Sequence, residues 1–187
     1  MAHRADQSKR VGTPSAAIIG AGVVGLACAA ELIDRGVNVT LHERGASVGQ
    51  RACSWFAGGM LAPWCEGESA EEPVIRLGQE AAGWWERHGA EVTREGTLVV
   101  APSRDRNELR RFGSRTSHFE DIDGEAIAAL EPDLAGRFSR GLFFRKEGHL
   151  DPRRAVAALA DYVSARGGTV RYESEVDPSE LDRKSVV

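Results

Sequence analysis

Ala16-Ala17-Ile18-Ile19-Gly20-Ala21-Gly22-Val23-Val24-Gly25 is followed by a helix-patterned run and then by Val37-Asn38-Val39-Thr40-Leu41-His42-Glu43. The order is a short apolar strand, a G-x-G-x-x-G turn, an amphipathic helix and a second strand ending in a carboxylate. Each piece has a task in holding a dinucleotide. Gly20 supplies the tight turn off the strand, and Gly22, without a side chain, lets backbone N–H groups approach a pyrophosphate. Gly25 allows the helix to pack near the strand, and the helix N-terminus turns partial positive charge toward the phosphates. Glu43 lies 18 residues beyond Gly25, placed to accept hydrogen bonds from a ribose.

Working outward, Lys9 and Arg10 precede a nearly uncharged run from Ser15 to Ala30, which has the outline of a signal peptide or membrane anchor. Three glycines dilute its hydrophobicity, and Glu31, Asp34 and Arg35 close it before a span of about 20 residues is complete, so no transmembrane segment is expected. The 187 residues carry 24 Lys+Arg against 28 Asp+Glu, with 42% hydrophobic content. That composition supports a packed core and gives no basic, aromatic-laced patch for nucleic acid. Cys28, Cys53 and Cys65 are odd in number and lack C-x-x-C spacing, which suits free thiols in a reducing cytoplasm. The five histidines are scattered, no metal site is expected, and no residue stands out as a catalytic acid or base.

Before the glycine turn, residues 1–15 read as a disordered lead. Helix Val23–Arg35 carries Val24, Cys28 and Leu32 on one stripe with Ala29 and Ile33 beside it, which makes Cys28 a small core residue. Gly36 ends it, and Val37–Leu41 is the second strand. Instead of a third βα unit comes a loop, Arg44 to Gln50, and then Arg51-Ala52-Cys53-Ser54-Trp55-Phe56-Ala57-Gly58-Gly59-Met60-Leu61-Ala62-Pro63. The small residues at 57–59 permit close approach of a ligand, and Ser54 can cap a short turn or bond a phosphate.

Gly20-x-Gly22-x-x-Gly25, Glu43-Arg44, and Ser54 leading into Ala57-Gly58-Gly59-Met60-Leu61-Ala62-Pro63 resemble the FAD-dependent amino-acid oxidoreductases of the D-amino-acid oxidase type. Within that group the chain is most similar to the glycine oxidases of thiamine biosynthesis. The resemblance implies that Val23, Val24, Glu43, Arg44, Cys53, Ser54, Gly58, Gly59 and Met60 line the FAD. Gly20, Gly22 and Gly25 form the turn beneath it, and Gly58 stands where Ala is commoner. It further implies oxidation of glycine or a similar small amine to an imine, with hydride passing from the α-carbon to the flavin and oxygen or a quinone accepting the electrons. D-amino-acid dehydrogenase and sarcosine oxidase chemistry are the alternatives, and a non-catalytic FAD-binding remnant is the alternative of another class.

Downstream, helix Pro73–His88 is expected to pack through Val74, Leu77, Gly78, Ala81 and Trp85. Glu91–Arg94 with Thr97–Ala101, and Gly141–Arg145 with Gly148–Leu150, read as β-hairpins. Ser103 is read as the cap of a helix running to about Ser114. Asp151-Pro152 starts a helix with Val156, Leu159, Ala160 and Val163 on one face, followed by strand Thr169–Ser174. In the resembling family this strand returns the chain to the FAD sheet, and the valine after it contacts adenine, a position matched by Val176.

The expected fold is an α/β, Rossmann-type FAD-binding βαβ unit with part of a mixed antiparallel substrate domain. Residues 16–65 form the FAD-binding βαβ and flavin loop, 66–150 the partial substrate domain, 151–176 the return and 177–187 a tail. The resemblance covers only the first half of the family's chain, so the sequence reads as an N-terminal fragment and its substrate-gripping residues are not assigned. A homo-oligomer is left open.

Overall fold

A computed structural model describes residues 13–49 and 51–180. Most of the expected lead and most of the expected tail lie outside the described residues. The described residues divide into two compact units, one formed by residues 13–49, 51–56 and 156–180 and the other by residues 57–155.

The first unit is built on a parallel three-stranded sheet. Strands β1 (Ser15–Ile19), β2 (Asn38–His42) and β8 (Thr169–Arg171) run in the order β1-β2-β8, with Ile18 opposite Leu41 and Leu41 opposite Val170. Helix α1 (Val23–Asp34) joins β1 to β2 and ends where Gly36, at φ +78°, lets Gly36 N–H reach the Ile33 carbonyl and Val37 N–H the Leu32 carbonyl. The buried side of α1 is Leu26, Ala29 and Ala30, and Val24 is 74% exposed. The expected Val24–Cys28–Leu32 stripe is therefore displaced around the helix. The cause is Gly25, where an added Cβ would stand 2.0 Å from the Gly20 carbonyl oxygen. That contact seats the Gly25 face on β1 and turns Val24 outward. Helix α5 (Pro152–Ala165) contributes the fully buried Val156, Leu159, Ala160 and Val163, the face its periodicity predicted.

The second unit holds an antiparallel sheet in the order β4-β6-β5, made of Thr97–Val100, Arg140–Phe144 and Glu120–Asp123. A two-stranded pair joins β3 (Met60–Leu61) to β7 (Gly148–His149). Helices α2 (Glu72–Arg87), α3 (Arg106–Arg115) and α4 (Gly124–Leu130) complete it. One cluster packs Leu109, Leu142 and Phe144 with Trp64, Phe112 and Phe119, and another packs Ala90, Leu150 and Ala155 with Leu61, Trp85 and Val92.

Neither expected hairpin forms. Residue Thr93 exchanges two backbone hydrogen bonds with His149, at 2.8 and 2.9 Å, and β4 pairs with β6. Gly96, at φ +85°, lies against the Phe143 ring so closely that a Cβ would meet it at 2.6 Å, which carries the chain past Phe143 instead of back on itself. The second turn opens because Glu147 is drawn inside, where its Oε1 accepts N–H bonds from Trp64 (2.9 Å) and Cys65 (2.7 Å).

In α2 the expected stripe is also corrected, since Val74 and Leu77 are 59% and 57% exposed while Ile75 and Trp85 are half-buried. The helix expected from Ser103 begins instead with a 3-10 turn, Ser103–Asp105, without a side-chain cap. By contrast, Asp123 caps α4 by accepting from Ala126 N–H at 2.9 Å, and Asp151 Oδ1 accepts from Arg153 and Arg154 N–H at the start of α5.

Candidate dinucleotide-binding site

The glycine turn sits where β1 gives way to α1. Gly20 has φ +99°, a conformation open to glycine and strained for other residues, and its N–H donates to the His42 carbonyl at 2.8 Å. Gly22 is the extended N-cap residue of α1. It offers no side-chain cap, and the first turn carries no acidic residue. The positive end of a three-turn helix is thus left for an external anion. Ser54, from the 3-10 turn Cys53–Phe56, brings its Oγ to 3.4 Å from Val23 N–H, a long hydrogen bond beside the same turn.

Glu43 closes the site from β2. Its side chain is 8% exposed, Oε2 accepts Ala21 N–H at 2.8 Å, and Oε1 accepts Gly45 N–H at 2.7 Å. Each carboxylate oxygen keeps a second lone pair, so the group is a held acceptor with capacity left for ligand hydroxyls.

Two clefts flank the glycine turn and share Ile19, Gly20, Gly22 and Ala52. One, of about 360 Å³, is lined further by His42, Glu43, Arg44, Arg51, Ser174, Glu175 and Val176. The other, of about 420 Å³, is lined by Val23, Val24, Gly25, Cys28, Cys53 and Ser54. Ten of the residues singled out from the sequence, Gly20, Gly22, Val23, Val24, Gly25, Glu43, Arg44, Cys53, Ser54 and Val176, therefore meet on these two clefts. The exposure of Val24 is accounted for in the same way, and Cys28 is a half-buried wall residue, not a core one.

Gly58, Gly59 and Met60 belong to the second unit. There Gly59, at φ +74°, has its Cβ position 2.0 Å from the Leu150 carbonyl oxygen, so its lack of a side chain serves the chain's own packing. Gly58 has nothing within 4 Å of its Cβ position, and Met60 is largely exposed.

Sequence reasoning missed Arg51, Ala52, Ser174 and Glu175, although each lies within two residues of a predicted site residue. His42 also lines the Glu43 cleft, and its Nδ1 lies 2.9 Å from Ser174 Oγ. Arg44 and Arg51 add positive charge to the lining of the Glu43 cleft. A held carboxylate, an uncapped helix N-terminus and two guanidinium groups suit the ribose and diphosphate of a dinucleotide. Among the described residues, no cluster of His, Cys, Asp and Glu could hold a metal, and no helix is long and apolar enough to cross a membrane.

Strand, turn, helix and held carboxylate define a dinucleotide-binding α/β protein. The family model for FAD dependent oxidoreductases (DAO) matches residues 15–187, and the chain belongs to that family. It is 64% identical over 142 residues to a protein of Rhizobium etli provisionally named thiamine biosynthesis oxidoreductase ThiO, covering 75% of this chain and 43% of that protein. The fold is also that of glycine oxidase from Bacillus cereus ATCC 14579, with TM-score 0.72 and 23% identity over 86% of this chain and 48% of the other. The glycine oxidase from Geobacillus kaustophilus superposes similarly, with TM-score 0.73 and 24% identity over 88% and 48%. The chain thus spans about half the length of these relatives. At these identities the two solved structures speak for the fold alone.

Proposed function

We propose that the chain holds FAD across the two clefts and belongs to an oxidoreductase acting on the C–N bond of glycine or a similar small primary or secondary amine. The observation that carries the reading is the Glu43 carboxylate, fixed by Ala21 and Gly45 beside an uncapped helix terminus. When bound, FAD supplies the two-electron acceptor that amine oxidation needs. In this reading Glu43 accepts the ribose hydroxyls, and the N-terminus of α1 with Arg44 and Arg51 meets the diphosphate. Val176 flanks the adenine, while Val23, Val24, Cys53 and Ser54 line the remainder of the cofactor. Gly58, Gly59 and Met60 are assigned to the flavin by the family resemblance.

Glycine as substrate and a place in thiamine biosynthesis follow from the glycine oxidase resemblance and from the name of the Rhizobium relative. Oxygen as electron acceptor, with hydrogen peroxide as product, and a cytoplasmic setting belong to the same reading. The test is a pair of titrations of the purified chain with FAD and with NADH, followed by a peroxide assay with glycine. Saturable, tighter binding of FAD and glycine-dependent peroxide are expected. Tighter binding of NADH would overturn the cofactor assignment. FAD binding without peroxide from any small amine would overturn catalysis by this chain.

A further inference from the structure

A third cleft lies wholly within the second unit and shares no residue with the dinucleotide clefts. It has a volume of about 380 Å³ and runs between one side of α3 and a face of the β5–β6 strand pair. Its floor is apolar, formed by the buried Leu109 and Leu142 with Gly113 and Phe119. Its rim carries Arg106 and Arg110, one helical turn apart on α3, and Arg140 at the start of β6, with Asn107 and Asp121.

The pairing of these arginines sets them apart. Arg104, Arg111, Arg115 and Arg145, on the same elements or beside them, each face a carboxylate, from Asp105, Glu108, Glu68 and Glu120 respectively. Among the described residues Arg106, Arg110 and Arg140 form no ion pair, and Arg110 bonds only the Asn107 side-chain oxygen, at 2.9 Å. Asp121 is the single carboxylate in the lining, on the same sheet face as Arg140 because it stands opposite Leu142 in the register. Three guanidinium groups against one carboxylate leave a positive excess in a chain whose net charge is −4. Guanidinium forks bind phosphate through paired N–H donors and stack on planar groups, and the apolar floor suits a ring.

We propose that this cleft between α3 and the β5–β6 face binds a small phosphate monoester with a planar apolar body, gripped at its phosphate by Arg106, Arg110 and Arg140. Phenyl phosphate is the probe, titrated into the full chain with excess FAD present to fill the dinucleotide clefts and followed by calorimetry. Saturable binding with Kd at or below about 1 mM is expected, weakening as salt is added. Arg106→Gln with Arg140→Gln should weaken it at least about tenfold, and Arg110→Gln alone should weaken it several-fold. Arg104→Gln, outside the cleft, should leave it unchanged. All four side chains are exposed, and unchanged thermal midpoints show that the variants fold. Absence of saturable binding overturns the proposal. So does equal binding by the double variant, or equal weakening by Arg104→Gln.

Discussion

The Ala21 N–H donates to Glu43 Oε2 at 2.8 Å, tying the middle of the glycine turn to the end of β2 across 22 residues. With Gly45 N–H on Oε1, the carboxylate is held from both sides before any ligand arrives. The acid expected only to receive a ribose also braces the glycine turn itself. In the proposed cofactor reading, binding and local stability are therefore coupled at one side chain.

Glu43→Ala should cost about 2–3 kcal/mol of stability, because two N–H donors lose a buried acceptor. Glu43→Gln should not be neutral, since its amide must turn an NH2 toward one of the two donors, a loss of about 1–2 kcal/mol. Both should weaken FAD at least about tenfold. Thermal melts with and without FAD, and a fluorescence titration, measure the two effects. Wild-type stability in the alanine variant would show that the carboxylate braces nothing.

Three glycines separate by the space around them. Gly25→Ala places a Cβ 2.0 Å from the Gly20 carbonyl oxygen, and Gly59→Ala places one 2.0 Å from the Leu150 carbonyl oxygen at φ +74°. Each should cost about 3 kcal/mol or more or prevent folding. Gly58→Ala meets nothing within 4 Å and should lie within about 0.5 kcal/mol of wild type. Denaturant midpoints decide the order.

Burial raises the Glu147 carboxyl pKa, and the N–H bonds from Cys65 and Trp64 offset that only in part. The folded chain therefore holds this proton more tightly than the unfolded chain. The stabilising contribution is complete below the ordinary glutamate value and is lost as pH rises through the folded pKa. Glu147→Gln, which keeps an oxygen for both N–H donors, should gain stability over wild type at about pH 8 and lose the advantage near about pH 4. Melting temperatures across that range test the sign, and an advantage that grows toward acid would contradict it.

The Cys65 thiol is pushed up to about 11 by burial, then by the charges of Glu147 and Glu66. Cys53 is exposed on the second dinucleotide cleft. At about pH 8, iodoacetamide should label Cys53 at least about tenfold faster than Cys65 in the folded chain. Saturating FAD should slow labelling of Cys53, and Glu147→Gln should quicken that of Cys65 by removing a nearby negative charge. Peptide mass spectrometry reads each site separately. Labelling of Cys53 that ignores FAD would remove it from the cofactor wall.

The helices of the chain were legible in outline, and their buried faces only in part. The α5 face through Val156, Leu159, Ala160 and Val163 is buried as its spacing predicts. The α1 face is set by the Gly25–Gly20 contact, and a periodicity count carries no record of such a contact. The two expected hairpins show the same limit. Turn residues at 95–96 and 146–147 announce a reversal, yet the partner of Thr93 is His149 and the partner of Met60–Leu61 is Gly148–His149.

By itself the sequence determined the β1–turn–α1–β2 unit, its three glycines and its acid, because strand, tight turn, helix start and spacing are local constraints along the chain. Tertiary structure alone decided that Glu43 is held by Ala21 and Gly45, and that Arg51, Ser174 and Glu175 join Val176 around the same cleft. It alone decided that Gly59 yields its side chain to Leu150 and that Glu147 turns inward to Trp64 and Cys65. The physical reason is common to all of these. Each depends on where backbone N–H and C=O groups from distant segments come to rest, and only the packed chain brings them within hydrogen-bond or van der Waals reach.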